Sequence, residues 1–421
     1  MGTRPRPEPR YHVGMPEPNR VVIEKLDWKS ILPVLRLVSA FKHAMQPGKL
    51  LVALVAVLAI HLSGTVLDLI WSSASDSDAA GVYESISATF SQYLSQLFES
   101  VLDLELGIGS GAGGVLGALH GIFIALPEWA FSEHPWFSLL FGIDVVFILT
   151  MSSGILTRMA STQVCRQEMT SPGQAIGHVS RRWRWYLLTP LMPALLAVII
   201  GLVLLLAGLV FFNVAVLDVI GSLGYGLLLL LGFIVTAVTL LLLFALFLMP
   251  PALSVEGSDG FDAIARSFNY ILFRPWQFAT YFLAALLYLA VVYVLASTVA
   301  ALSIDATHSL IELGAVGDEP SRHEQIVSGD PRDAGGTIGF NAWVVSRWIE
   351  LVTAIVLAIL LSTLCCLQTQ VYVLMRRSAD GTPLDQCDAS GPVDLWADAS
   401  AGQADTEETA EADNALNHAE I

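Results

Sequence analysis

The sequence predicts an all-α integral membrane protein with about six transmembrane helices and additional amphipathic interfacial helices. Apolar residues make up 54% of the 421 residues and charged residues only 14%, against about 25% charged residues in a typical soluble domain. The apolar residues lie in uninterrupted runs of about twenty or more, a length that soluble chains rarely carry. The alternating polarity of membrane β-strands is absent from the sequence.

Six long apolar segments divide the chain. Each contains at least 22 residues, and about 20 suffice to cross a hydrocarbon core of about 30 Å. They define a membrane domain over residues 26–377, preceded by a Pro- and Arg-bearing arm (1–25) without the apolar core of a signal peptide. The acidic tail (378–421) and the arm have the composition of disordered segments. The predicted spans are residues 50–71, 136–158, 187–212, 222–250, 277–301 and 348–375.

The distribution of lysine and arginine favours six spans with both termini in the cytoplasm. Segments between the spans, taken alternately from the N-terminus, hold 18 of the 21 Lys and Arg residues. The long loop 72–135 holds none. Because cytoplasmic loops carry an excess of basic residues, we predict a multi-pass protein of the inner (cytoplasmic) membrane.

Three further stretches are not predicted to cross the membrane unaided. Residues 27–45 are amphipathic at helical spacing, which is typical of an interfacial helix, and residues 83–104 contain another amphipathic stretch. Residues 115–126 are apolar but too short to span unaided, and we expect a re-entrant or interfacial helix there. The residues predicted to anchor spans at the interface are Arg184, Trp185, Arg274, Trp276, Arg376 and Arg377.

Two stretches carry a resemblance to known proteins. One runs from Ser254 to Trp276 and includes FDAIARS at 261–267, and the other is the exit of the last span, VYVLMRR at 371–377. Together they resemble a loose group of uncharacterised bacterial polytopic membrane proteins, distantly similar to the membrane domain of glycerophosphodiester phosphodiesterases. The resemblance covers about a quarter of the chain and does not extend to the catalytic domain of those enzymes. It implies a multi-helix inner-membrane module and assigns no catalytic residue.

Two ionisable residues within predicted spans are candidates for a polar site. Asp144 lies near the middle of the second span, where an Asp costs about 2.5–3.5 kcal/mol on the insertion scale. It is either a proton- or cation-coupling carboxylate or a buried residue that is hydrogen-bonded to a neighbouring helix. His61, in the middle of the first span, could partner Asp144 in a proton relay or be satisfied by a backbone carbonyl.

Other patterns predict no catalytic or metal site. The glycines of 109–114 match G-x-G-x-x-G, but no strand precedes them, and Cys365-Cys366 lacks the further ligands of a metal site. The polar residues of 362–370 fit helix–helix packing.

These observations favour a non-enzymatic protein with a role in envelope organisation or lipid contact. We expect no cofactor and no nucleic-acid partner. The expected partners are the lipid bilayer and, through self-association, other copies of the chain or other membrane proteins. The alternative is a transporter or channel component that uses an intramembrane carboxylate.

The predicted topology can be tested with an epitope tag inserted in the loop 302–346. We expect the tag to be accessible from outside the cytoplasmic membrane, because five crossings precede this loop. Antibody binding to spheroplasts before and after permeabilisation measures the accessibility, with a tag in the loop 158–185 as the control. Accessibility of the 302–346 tag only after permeabilisation would contradict the topology.

Overall fold

A computed structural model describes residues 33–72, 81–105, 107, 113–213, 217–314, 321–328 and 336–383. All regular secondary structure within these ranges is helical, and the prediction of an all-α fold is confirmed. Seven helical segments in these ranges are long and apolar enough to cross a membrane. The chain is therefore an all-α multi-pass membrane protein. The predicted N-terminal arm, and the tail beyond residue 383, lie outside the described residues.

The helices are numbered here in chain order. A 3-10 helix (Pro33–Ser39) precedes α1, and a π-helical segment (Gly121–Ala125) joins α4 to α5. The helices are α1 (Ala40–Ala44), α2 (Pro47–Ser72), α3 (Val82–Leu102), α4 (Gly114–His120), α5 (Leu126–Glu133), α6 (Pro135–Arg166), α7 (Pro172–Arg181), α8 (Trp183–Phe211), α9 (Leu217–Leu223), α10 (Tyr225–Ala245), α11 (Met249–Glu256), α12 (Gly260–Phe273), α13 (Pro275–Leu313), α14 (Arg322–Ser328) and α15 (Gly336–Asp380).

The six predicted spans correspond to α2, α6, α8, α10, α13 and α15. The fourth predicted span, 222–250, is shorter in the structure because α10 ends at Ala245 and a new helix, α11, begins at Met249. Pro250 occupies the first turn of α11, where proline is tolerated because its missing N–H would have no helical partner. The helix α6 runs eight residues past the predicted end of its span, to Arg166.

A seventh segment is longer than the sequence indicated. Residues 114–133 form one continuous helical run through the π-helical segment, and its 20 residues satisfy the length for a crossing. It is the least apolar of the seven candidates. The amphipathic stretch that precedes it is confirmed as helical in α3, which buries Leu97, Phe98 and Val101. Gly121 allows the ring of Tyr93 on α3 to lie where a side chain would otherwise stand.

The helices divide into a packed bundle and a lipid-facing hairpin. Helices α2, α6 and α15 pack against one another, and α13 packs against α15 and α3. Helices α8 and α10 pack on each other, and no residue in their apolar windows is buried. Because these exposed side chains are almost all aliphatic or aromatic, lipid is the solvent that covers them.

Polar contacts concentrate where α2 begins and α6 and α15 end, here called the basic end. Glu256, at the end of α11, lies 2.9 Å from the Nε atom of Arg376 on α15 and accepts a hydrogen bond of 2.9 Å from Tyr372. Arg266 on α12 pairs with Asp262 at 2.8 Å and lies 3.9 Å from Glu256. These contacts join α11 and α12 to the last span.

A second polar contact joins α6 to α11. Arg158 is only 4% exposed, and its Nη1 atom donates to the carbonyl of Ser254 at 2.9 Å. The hydroxyl of Ser254 lies 2.8 Å from that of Thr157 and 3.0 Å from that of Tyr186. Arg158, which the sequence placed at the start of a cytoplasmic loop, is therefore inside the bundle.

The substitution Glu256→Ala should lower the free energy of unfolding by about 3 kcal/mol, because it leaves the buried Arg376 guanidinium without its carboxylate. Unfolding of the full chain in detergent micelles, followed by circular dichroism, measures this loss. Asp262→Ala is the control, with a cost of less than about 1 kcal/mol because its ion pair with Arg266 is more exposed to solvent than the Glu256–Arg376 pair. Equal effects of the two substitutions would contradict the importance of the buried pair.

Candidate functional site

A cavity of about 490 Å³ lies at the basic end, within the range of small-molecule sites. It is enclosed by the segment 33–45, the end of α6 and the last third of α15. Gln167 is exposed and lines the cavity, so the cavity reaches the surface of the protein there. The lining residues are Arg36, Ser39, His43, Gln163, Val164, Gln167, Gln370, Val373 and Leu374.

The segment 33–45 forms one wall because it packs closely on α15. Ala40 and Ala44 are fully buried, and such small residues let helix backbones approach each other. The hydroxyl of Ser362 donates to the carbonyl of Ala44 at 2.8 Å. Tyr288 on α13 donates to the carbonyl of Val38 at 3.1 Å. These contacts fix the segment against the bundle.

The prediction of one continuous interfacial helix over 27–45 is only partly met. Residues 27–32 lie outside the described residues, and 33–44 form a 3-10 helix followed by the short α1. The helix stops before Pro47 because a proline disfavours helical conformation in the residue before it. Leu35, Val38 and Phe41 are exposed, so the segment still presents an apolar surface as well as its buried face.

Lys49 is the buried cation next to the cavity. Its side chain is 1% exposed, and its ammonium donates to Gln163 Oε1 at 2.6 Å and to the carbonyl of His43 at 3.2 Å. Both partners line the cavity. A buried ammonium requires acceptors of this kind. From the sequence, Lys49 contributed only to the count of basic residues before the first span, and its buried position was not predicted.

The electrostatic character of the cavity is positive. None of the described lining residues is Asp or Glu, whereas Arg36 and His43 belong to the lining and Lys49 lies next to it. Burial, together with the charges of Lys49 and Lys42, lowers the pKa of His43 below its usual value. The imidazole therefore favours its neutral form, and the permanent charge of the lining comes from the Arg36 guanidinium. Such a site suits an anion.

The structure gives His61 partners other than Asp144. The Nε2 atom of His61 lies 3.3 Å from Glu350, and its Nδ1 atom lies 3.0 Å from the hydroxyl of Tyr83. Burial and the nearby carboxylates of Glu350 and Asp68 raise the pKa of Tyr83 to about 12, so the phenol keeps its proton. Sequence reasoning missed Glu350, although an acid two residues inside a predicted span was a visible signal.

Asp144, on α6, makes no hydrogen bond or ion pair with His61 or Glu350 among the described residues. Its Oδ2 atom is buried and has no hydrogen-bond partner among the residues that the structure describes. The hydrogen bond between Asp144 and His61, one of the two alternatives that the sequence left open, is absent among the described residues, where His61 contacts Tyr83 on α3 and Glu350 on α15.

Most of the predicted interfacial anchors lie at the surface. Arg274 donates to Ser378 at 2.8 Å, and Trp276 is 86% exposed. Trp185 is half-buried and packs beside Gly260. The other exposed anchors are Arg184 and Arg377.

Arg376 differs from the predicted anchor role. It is 8% exposed and forms the ion pair with Glu256. The reason is that α11 and α12 fold against the exit of the last span and cover this side chain. Its neighbour Arg377 points outward.

Comparison of the chain with protein families, with curated proteins and with solved structures found no match. The described residues also contain no group of three or more His, Cys, Asp or Glu residues placed to hold a metal ion. The function is therefore inferred from the cavity and its charges.

The substitution Lys49→Met should loosen the cavity wall, because Gln163 Oε1 and the carbonyl of His43 each lose a buried donor. We expect a loss of about 1–3 kcal/mol in unfolding free energy and faster hydrogen exchange in residues 33–45. Exchange measured by mass spectrometry on the detergent-solubilised chain tests this. The exposed Lys42→Met is the matched control and should change stability by less than about 0.5 kcal/mol. Unchanged exchange in Lys49→Met would refute the role of the ammonium.

Proposed function

We propose that the protein is a non-enzymatic multi-pass protein of the inner (cytoplasmic) membrane that binds lipid at its cytoplasmic face. The observation that carries this proposal is the positively charged cavity at the basic end, which combines arginine, imidazole and amide groups without a described carboxylate. These groups bind and orient an anion.

The charge distribution supports a cytoplasmic position for the cavity. With six crossings, the segments that hold 18 of the 21 Lys and Arg residues lie on one side, and the basic end is on that side. If residues 114–133 also crossed, the later basic segments would be on the opposite side from the N-terminus, against the positive-inside rule. We therefore propose six spans, cytoplasmic termini, and an interfacial or re-entrant position for 114–133.

The proposed site lies where anionic lipids are found. The cytoplasmic leaflet carries a negative surface potential that attracts basic residues, by about 1 kcal/mol for each Lys or Arg near the surface. The exposed apolar residues Leu35, Val38 and Phe41 would place the cavity wall at the level of the headgroups. A lipid phosphate could then reach Arg36 without leaving the interface.

Lipid binding predicts that anionic phospholipid stabilises the full chain more than zwitterionic phosphatidylcholine does. Saturation to about 100 times the dissociation constant should add about 2.7 kcal/mol, observed as a higher unfolding temperature in micelles. Arg36→Gln should reduce the difference between the lipids, whereas Arg322→Gln, at the opposite end of the bundle, should not. Equal stabilisation by both lipids in the native chain would exclude this function.

A second candidate function is that of a transporter or channel component. Two observations favour it: the buried Asp144 Oδ2 atom without a described partner, and the His61–Glu350 pair within the span region. Intramembrane carboxylates often belong to ion pathways.

On this alternative, Asp144→Asn should abolish proton or cation flux in proteoliposomes, because the neutral amide cannot bind the coupling ion. Asp262→Asn, at the surface, is the control and should leave flux unchanged. Absence of flux in the native chain, or equal flux in Asp144→Asn, would exclude a transport role for this residue.

A further inference from the structure

We propose that the cavity recognises a phospholipid headgroup that carries both a phosphate and a free hydroxyl, as a phosphoglycerol headgroup does. This inference rests on the proposed lipid-binding function and adds the chemical identity of the headgroup. It follows from two different kinds of polar group in the lining: a cation and an unsatisfied acceptor.

Arg36 is the group suited to the phosphate. A guanidinium forms paired hydrogen bonds with phosphate oxygens, which makes arginine the preferred residue for this recognition. The buried Lys49 ammonium, held by Gln163 and the backbone of His43, adds a second positive charge next to the cavity. The described lining has no carboxylate that would repel the phosphate.

Gln370 is the group suited to the hydroxyl. The hydroxyl of Ser39 donates to the carbonyl of Arg36 at 2.7 Å, so its oxygen is an acceptor for Gln370 Nε2 at 3.3 Å. Gln370 Nε2 also lies 3.4 Å from His43 Nδ1, so both recorded contacts of the amide are made by its nitrogen. Gln370 is 4% exposed and lines the cavity, and its Oε1 atom has no hydrogen-bond partner in the described part of the chain.

A buried acceptor without a donor is uncommon in folded proteins. A ligand that donates a hydrogen bond to Gln370 Oε1 would satisfy it. An ammonium donor, as in phosphatidylethanolamine, would meet the like charges of Arg36 and Lys49. A hydroxyl donor has no such cost, and the same molecule supplies the phosphate for Arg36.

The apolar part of the lining agrees with a lipid rather than a soluble ester. Val164, Val373 and Leu374 line the cavity beside the polar groups, and they offer an apolar surface to the glycerol backbone and the first acyl carbons. The exposed Gln167 marks the side on which the cavity opens.

The experiment measures binding of single phospholipids to the full chain in detergent micelles by native mass spectrometry. The probes are phosphatidylglycerol, phosphatidic acid, phosphatidylethanolamine and soluble glycerol phosphate. Phosphatidic acid has the phosphate without the headgroup hydroxyl. We expect phosphatidylglycerol to bind about tenfold more tightly than each of the others, the value of one buried hydrogen bond to an otherwise unsatisfied acceptor.

Two variants separate the two halves of the site. Gln370→Met keeps the side-chain length and should remove the preference for phosphatidylglycerol while phosphatidic acid binding stays within about twofold. Arg36→Gln should weaken both anionic lipids by about tenfold or more. Lys42→Gln removes an exposed positive charge outside the cavity lining and should change both by less than about twofold.

The outcomes distinguish this inference from the proposed function. Equal binding of phosphatidylglycerol and phosphatidic acid to the native chain would overturn the hydroxyl recognition and leave lipid binding intact. If soluble glycerol phosphate bound as tightly as phosphatidylglycerol, the claim that the ligand is a membrane lipid would be overturned. If no anionic lipid bound better than phosphatidylcholine, the proposed function itself would fail. The lipid panel on the native chain decides these points even if Gln370→Met does not fold.

Discussion

The absence of hydrogen-bonding partners in hydrocarbon is the constraint on which this structure depends. Each backbone polar group in the membrane must be satisfied within its own helix, which explains why the described regular structure is helical. The same constraint acts on side chains. Lys49, Arg158 and Arg376 are buried, and each has an oxygen partner on another part of the chain. The polar side chains are therefore collected where they can satisfy one another.

The polar contacts of the basic end hold several separate segments of the chain together. Helices α11 and α12, which follow the lipid-facing hairpin and precede α13 in the chain, fold onto the exit of α15 through the contacts of Glu256 with Arg376 and Tyr372. The segment 33–45 folds onto α15 from another side. The cavity lies where this segment meets α6 and α15, and its positive charge comes from residues held by the same contacts. Stability and the proposed binding site thus share one region, so loss of Lys49 should affect both.

The opposite half of the bundle is organised around α3. Asp68 on α2 accepts hydrogen bonds from the backbone N–H groups of Tyr83 at 2.9 Å and Glu84 at 3.3 Å, and so its carboxylate complements the positive end of the α3 dipole. Tyr83 then reaches His61, which lies against Glu350. An amphipathic pattern predicted the helix, but it could not predict that its first turn would be capped by another span.

The sequence by itself determined which segments face lipid and which face water: the six apolar runs, the amphipathic stretches 27–45 and 83–104, and the alternation of basic loops. These are local properties, because transfer to hydrocarbon depends on each segment's own residues. Only the tertiary structure decided which polar groups meet. Gln370 and Ser39 are 331 residues apart in the chain. Arg376, predicted to be an interfacial anchor, instead forms a buried ion pair with Glu256. Partner choice of this kind depends on how the helices rotate and pack against one another, which no single segment encodes.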